Sequence, residues 1–301
     1  MARHSPTVRL RRLSGQLREL REVAGLTVTQ AAHAAGWTPS NLSRAENRLW
    51  RQPNLVHLGR LLDVYGVSEA AQPERRAELL QLARDGRRRG WWSDYRVSDS
   101  YATYVGLEAE AAALRNYEPI VLPGLLQTAG YARALIATRA PELSAEEVEE
   151  LVALRIERQE RLLSADDPIH IWAIVAEGTF RRMVGGADVM AEQLDHLTKV
   201  GQLPNVRLQV LPFSAGAAPT RGPFAILRFA EPVDPEAVYV ETPAGDLWVE
   251  GPQVAGFLEG WERLIPVSLP VPDTLTVIAA RANFLRARGG HRDQQTDLAE
   301  E

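Results

Sequence analysis

Leu10, Leu13, Leu17, Leu20 and Ala24 recur at helical spacing with Arg11, Arg12, Arg18 and Arg21 between them, which predicts an amphipathic first helix. The next stretch, GLTVTQAAHAAGWTPSNLSRAENR (25–48), holds two short helical patterns joined by a glycine. Thr27 followed three residues later by Gln30 is a capping-box start, Gly36 is a stop, and Thr38-Pro39 supplies an N-cap with proline at the first helical position. Within the second of these helices Leu42, Ala45 and Leu49 form an apolar stripe, while Ser40, Asn41, Arg44, Asn47 and Arg48 fall on the opposite side. One face packs and the other is free. Residues 54–65 predict a fourth helix with Leu55, Leu58, Leu61, Leu62 and Tyr65 inward. Residues 74–89 predict a fifth that ends in Arg87-Arg88-Arg89. The whole reads as a small helical bundle over 9–66 and a helical connector over 67–90.

The second part opens with Trp91, Trp92, Tyr95, Tyr101 and Tyr104 and continues with helical patterns at 105–116, 124–138 and 144–163. Ser144 and Glu147 make a capping box for the last. From residue 169 the period changes: IHIWAIV, VRLQVLPF, FAILRFA, AVYVE and LWVE are β-type runs bounded by Gly, Pro and Asp. Helices are expected at 187–201, 252–264 and 272–286. Gly185-Gly186 fits no nucleotide-binding loop and reads as a helix end. The polar segment 287–301 reads as a disordered tail. The expected fold is multidomain: an all-α helix-turn-helix bundle followed, over 91–286, by an α+β domain with a mixed sheet of about five strands.

The length of 301 residues suits about two domains. A hydrophobic content of 45% is ample for a core, and no uninterrupted apolar stretch reaches the roughly 18 residues of a membrane span. The segment MARHSPTVRLRRLSGQL is basic but lacks the apolar region of a secretory signal, and the chain has no cysteine, so a cytoplasmic, nucleoid-associated protein is expected. Charge sharpens this picture. Residues 1–90 carry 16 arginines against 8 acidic residues, about +8, whereas residues 91–301 carry about −13. A basic module on an acidic body suits a nucleic-acid binder with a separate regulatory part, because neutralising phosphates drives non-specific affinity. Lys199 is the sole lysine, so composition accounts for the choice of arginine but not for its clustering.

Catalytic and metal chemistry find little support. His4, His33, His57, His170, His196 and His291 are scattered without HExxH or HxH spacing, and no GxSxG elbow occurs. Neither an enzyme, nor a metal, nor a cofactor is expected. The aromatic group Trp91, Trp92, Tyr95, Tyr101 and Tyr104 is a candidate effector pocket or partner groove, with core packing as the alternative.

Residues 9–66, above all GLTVTQAAHAAGW, SNLSRAENR and LLDVYGV, resemble the helix-turn-helix of the Xre family, the lambda-repressor and Cro type. The rest resembles the large C-terminal domain of antitoxin-like Streptomyces regulators, an actinobacterial group. WWSDY, YVGLEAEAAALRNYEPIVLPGLLQTAGYARAL, VGGADVMAEQLDHL, PNVRLQVLPFSAGA and VYVETPAGDLWVE carry that resemblance. It implies a lambda-repressor-like bundle and a transcriptional regulator, often encoded beside a small partner protein.

Carried onto this chain, the resemblance places DNA contacts at Thr38, Pro39, Ser40, Asn41 and Arg44, and at the start of the preceding helix. Family members often have glutamine where Val28 stands, so Thr29 or Gln30 takes that place. Arg44 suits base readout, since a guanidinium pairs with guanine O6 and N7. Arg48 and Arg51 suit phosphate contacts. Arg21 and Glu46 match a pair that related repressors bridge, and Arg21 is also a candidate for reaching DNA. The expected protein is a sequence-specific regulator of double-stranded DNA, a homodimer whose second domain senses a small partner protein or a small-molecule effector. The alternative is an antitoxin-like module that sequesters a small partner and binds DNA for autoregulation.

Overall fold

A computed structural model of the chain describes residues 5–47, 50, 52–231 and 234–297, with side chains to residue 287. The chain divides into two compact units, Met1–Asp94 with Ala102–Glu110, and Tyr95–Tyr101 with Ala111–Glu301.

The first unit is helical, and its boundaries follow capping chemistry. Helix α1 (Pro6–Val23) starts at Ser5, whose hydroxyl accepts from the Val8 amide. In α2 (Val28–Ala35) Thr27 and Gln30 complete the capping box, and Gly36 ends the helix in the left-handed region at φ 71°, where a side chain would be strained. Thr38 caps α3 (Pro39–Glu46) by accepting from the Asn41 amide at 3.2 Å. Asn54 caps α4 (Leu55–Val64) by accepting from both Val56 and His57 amides. Leu13 and Leu17 of α1, Ala31 and Ala32 of α2, Leu42 of α3, and Leu58, Leu61 and Leu62 of α4 form one buried cluster. Burial of each such leucine contributes about 1.5–3 kcal/mol. Helix α5 (Pro73–Gly86), in the segment read as a connector, adds Leu79, Leu82 and Ala83 to that same core. It packs against α1 so closely that a Cβ at Gly86 would stand 2.5 Å from Leu10 Cδ2. Glu110 pins the start of α1, accepting from the Ser5 amide at 2.8 Å and pairing with Arg9 at 3.0 Å.

Helix α6 (Asp99–Glu108) is followed immediately by strand β1 (Ala111–Glu118). The helix expected over 105–116 is therefore corrected: it ends at Glu108, and AAALRNYE is a strand. Alanine, leucine and arginine favour helix locally, but β1 is hydrogen-bonded on both edges, to β2 (His170–Ala176) in parallel and to β4 (Phe224–Phe229) antiparallel. Tertiary pairing overrides local preference. With β3 (Val206–Leu211), β5 (Ala237–Val240) and β6 (Leu247–Val249) the sheet has six strands in the order β3-β2-β1-β4-β5-β6. The first three run parallel and the rest antiparallel, a mixed sheet in an α+β unit.

Helices α7 (Ala129–Arg139), α8 (Ala145–Gln159), α9 (Gly178–Arg181), α10 (Gly186–Val200), α11 (Val254–Leu264) and α12 (Val271–Asp297) complete the unit. Gly185 and Gly186, read as a helix end, open α10 instead. Gly185 is its N-cap at φ 72°, and a Cβ there would meet Val189 Cγ1 at 2.9 Å. Helix α12 runs on to Asp297, beyond the end expected at 286, and residues 298–301 lie outside the described ones. Two buried amides are satisfied on both sides or twice over: the Gln193 amide accepts from Thr128 N at 2.7 Å and donates to Leu126 O at 2.8 Å. Asn205 donates to Leu162 O and Ile169 O, both at 2.9 Å. Trp261 of α11 is fully buried against Tyr117, Ile174 and Phe224 on one face of the sheet.

Candidate nucleic-acid interface

Helix α3 is held from below and bare above. Leu42, Ala45 and Glu46 are its buried residues. Glu46 receives a two-pronged guanidinium contact from Arg21, Nε to Oε1 at 2.8 Å and a terminal nitrogen to Oε2 at 2.9 Å. Arg21 also donates to Leu26 O at 2.9 Å, and the two side chains are only 12% and 5% exposed. The hydrogen bond it donates to Glu46 holds the Arg21 guanidinium above its ordinary pKa. Arg21 thus ties α1 to α3 and turns the carboxylate of α3 inward, where it cannot repel phosphate.

Ser40, Asn41 and Arg44 are exposed, and their side chains have no hydrogen-bond or ion-pair partner among the described residues. Thr29, Gln30 and Thr38 are exposed and Pro39 is half-buried. Gln30 Oε1 is occupied by the Thr27 amide and hydroxyl, both at 2.9 Å, and Thr38 Oγ1 by its own cap bond. Gln30 and Thr38 therefore hold helix starts, whereas Ser40, Asn41 and Arg44 have their hydrogen-bonding groups to spare. Arg48, Arg51 and the expected stripe residue Leu49 lie outside the described residues.

Beside α3 the chain forms a groove of about 390 Å³ lined by Asn41 and Arg44 on one side and by Trp37, Trp50, Asn54 and His57 on the other. Trp37 meets Trp50 edge to face, ring centres 5.4 Å apart. Nothing in the sequence pattern marks these four residues as a group. They come from three separate segments, and the one local signal was Asn54, an N-cap residue type directly before a leucine-rich pattern.

The aromatic group falls in both units. In the first, Trp91 and Trp92 meet edge to face at 5.8 Å, and Trp92 and Tyr104 are buried. In the second, Tyr95 donates to Glu157 at 2.7 Å and Tyr101 accepts from Arg158, both on α8. Among the described residues no three histidine, aspartate or glutamate side chains converge as a metal site, and no single helix is long and apolar enough to cross a membrane.

Two family models match the chain. One, described as a helix-turn-helix domain, spans residues 12–79, from α1 into α5. The other, described as a domain of unknown function, DUF5753, spans residues 101–280, more than half of the chain. The chain belongs to the DUF5753 family. Its DUF5753 region contains all six strands and extends into α12. The helix-turn-helix match makes DNA binding and transcription regulation the function of the first unit. No curated protein and no solved structure is similar enough to match the chain.

Proposed function

We propose that this chain is a sequence-specific regulator that binds double-stranded DNA as a homodimer and whose DUF5753 region receives a signal from a small partner protein or a small-molecule effector. The carrying observation is the contrast on α3: Arg21 and Glu46 fix the helix from inside, while Ser40, Asn41 and Arg44 are exposed and their side chains have no partner among the described residues. In this reading α3 enters the major groove, Arg44 reads a guanine, and Ser40 and Asn41 meet base edges or backbone. Gln30 and Thr29 approach from the start of α2, and Arg48 and Arg51 clamp phosphates. A homodimer is favoured because one helix-turn-helix offers too little interface for tight binding, whereas two match half-sites about one helical turn apart. The resemblance to Xre-family, antitoxin-like actinobacterial regulators supports the small-protein partner and a cytoplasmic, nucleoid-associated location.

Titrating the full chain with duplex DNA over a salt series tests the reading. Neutralising about six to ten phosphates per dimer lowers affinity by roughly 10³ to 10⁵ between 50 and 200 mM salt. A flat response removes DNA as the main ligand.

A further inference from the structure

The sheet face that α11 covers is only partly covered. Tyr117, Ile174 and Phe224 lie beneath Trp261, and in the next row Ile226 is still buried and Trp172 still meets Trp261 edge to face at 5.4 Å, but beyond them the same face opens, with His170, Arg207 and Arg228 exposed. Strand register sets what lies there. Arg115 sits between Trp172 on β2 and Ile226 on β4, and Trp172 in turn pairs with Arg207 on β3. In the next row Ala113 sits between His170 and Arg228. A single methyl group at the centre of larger neighbours leaves a depression, a cup of about 240 Å³. A β-bulge at Ala112 lies at its rim, a place where strands re-aim side chains around sites.

The charge of this cup runs against that of its surroundings. Residues 91–301 carry about −13 overall, yet Arg115, Arg207, Arg228 and His170 all line the cup. Glu236 is the one carboxylate in the lining, and Glu262 approaches Arg115 only to 3.8 Å. Arg207 and Arg228 have no carboxylate partner among the described residues. The Arg207 guanidinium lies 3.9 Å above the Trp172 ring, and the Trp172 indole is fixed by donating to Gln209 at 2.8 Å. The cup thus joins a rigid flat wall to guanidinium groups on three strands, Arg207 on β3, Arg115 on β1 and Arg228 on β4, the outer two strands roughly 14 Å apart by three interstrand spacings.

We infer that this cup binds a small planar organic anion, its ring on the Trp172–Arg207 wall and its carboxylates or phosphates on Arg228, Arg115 and His170. Concave sites with an aromatic wall and a few convergent polar groups are the usual form of small-molecule pockets, and arginine supplies planar, paired donors to such anions. The inference rests on the reading of the DUF5753 region as the receiver of a signal and gives that signal a chemical class.

Calorimetry of the full chain with terephthalate, a planar dicarboxylate of about a dozen non-hydrogen atoms, tests it. Saturable binding at one per chain with a dissociation constant of about 1 mM or below is expected. Arg207→Gln and Arg228→Gln each weaken it by about tenfold or more. Ala113→Leu, which fills the cup, abolishes it with the thermal midpoint unchanged. Lack of saturation, or full affinity in Ala113→Leu, overturns the site. A hexaglutamate peptide binding in place of terephthalate overturns it too, in favour of a protein-docking surface. DNA affinity measured on the same preparation keeps the two readings apart: its loss breaks the regulator reading alone, and failure of terephthalate to bind breaks the cup alone.

Discussion

The two units handle cations differently. In the first, Arg21 is tied to Glu46 and Arg76 to Asp63, both at 2.8 Å, while Arg44 is exposed on α3 with no partner among the described residues. The second ties arginines across its helices and loops, Arg133 to Glu149, Arg139 to Glu241, Arg161 to Asp167 and Arg286 to Asp195, and leaves Arg207 and Arg228 together at one cup. Exposed ion pairs contribute little to stability, about 0–1 kcal/mol each. Their effect here is on where unpaired charge remains. Arg44 stands on a helix fixed from inside, and Arg207 and Arg228 stand on paired strands, so in each unit the proposed ligand contacts are carried by rigid elements.

The largest expected effect is at Arg21. Arg21→Ala leaves Glu46 buried without its partner, a loss of about 3–5 kcal/mol. For a unit of this size that lowers its thermal midpoint by at least about 10 °C, which calorimetry of the full chain reads as a shift of the helical unit's transition. An unchanged melt would mean that the pair does not anchor α3.

The second unit supplies a smaller, pH-dependent effect. Burial pushes the Glu118 carboxyl, at the end of β1, up from 4.5 to about 7, against a hydrogen bond from Asn116. The folded chain therefore keeps a proton that the unfolded chain releases, so stability is full below pH 4.5 and declines as pH rises through about 7. Glu118→Gln removes this decline and stabilises the protein by about 1–3 kcal/mol at pH 8 but not at pH 4. Denaturant melts at the two pH values measure it, and equal effects at both would place the gain elsewhere.

How much of this was legible in sequence depended on whether the determining contacts are local. The ends of α2 and α3 are set by Thr27, Gln30, Gly36 and Thr38 within a few residues of each other, and all were readable. The five later strands announce themselves by apolar runs between turn residues. Strand β1 does not, because its alanines and Arg115 favour helix alone and become strand only between β2 and β4. The cup was invisible for the same reason: residues 113, 170, 207 and 228 meet only through strand register. The outward position of Arg44 follows from helix phase and its DNA contact from the family resemblance, whereas Trp37, Trp50 and His57, across the groove from it, required the chain to fold.

The central claim is that free polar groups on a fixed α3 choose the DNA sequence. Competition binding of the Arg44→Ala chain between selected and random duplexes tests it most directly. The ratio of specific to random affinity should fall by the equivalent of about 1–3 kcal/mol. The melt should stay within about 0.5 kcal/mol of the parent, as expected for an exposed side chain without partners. An unchanged ratio would contradict the claim.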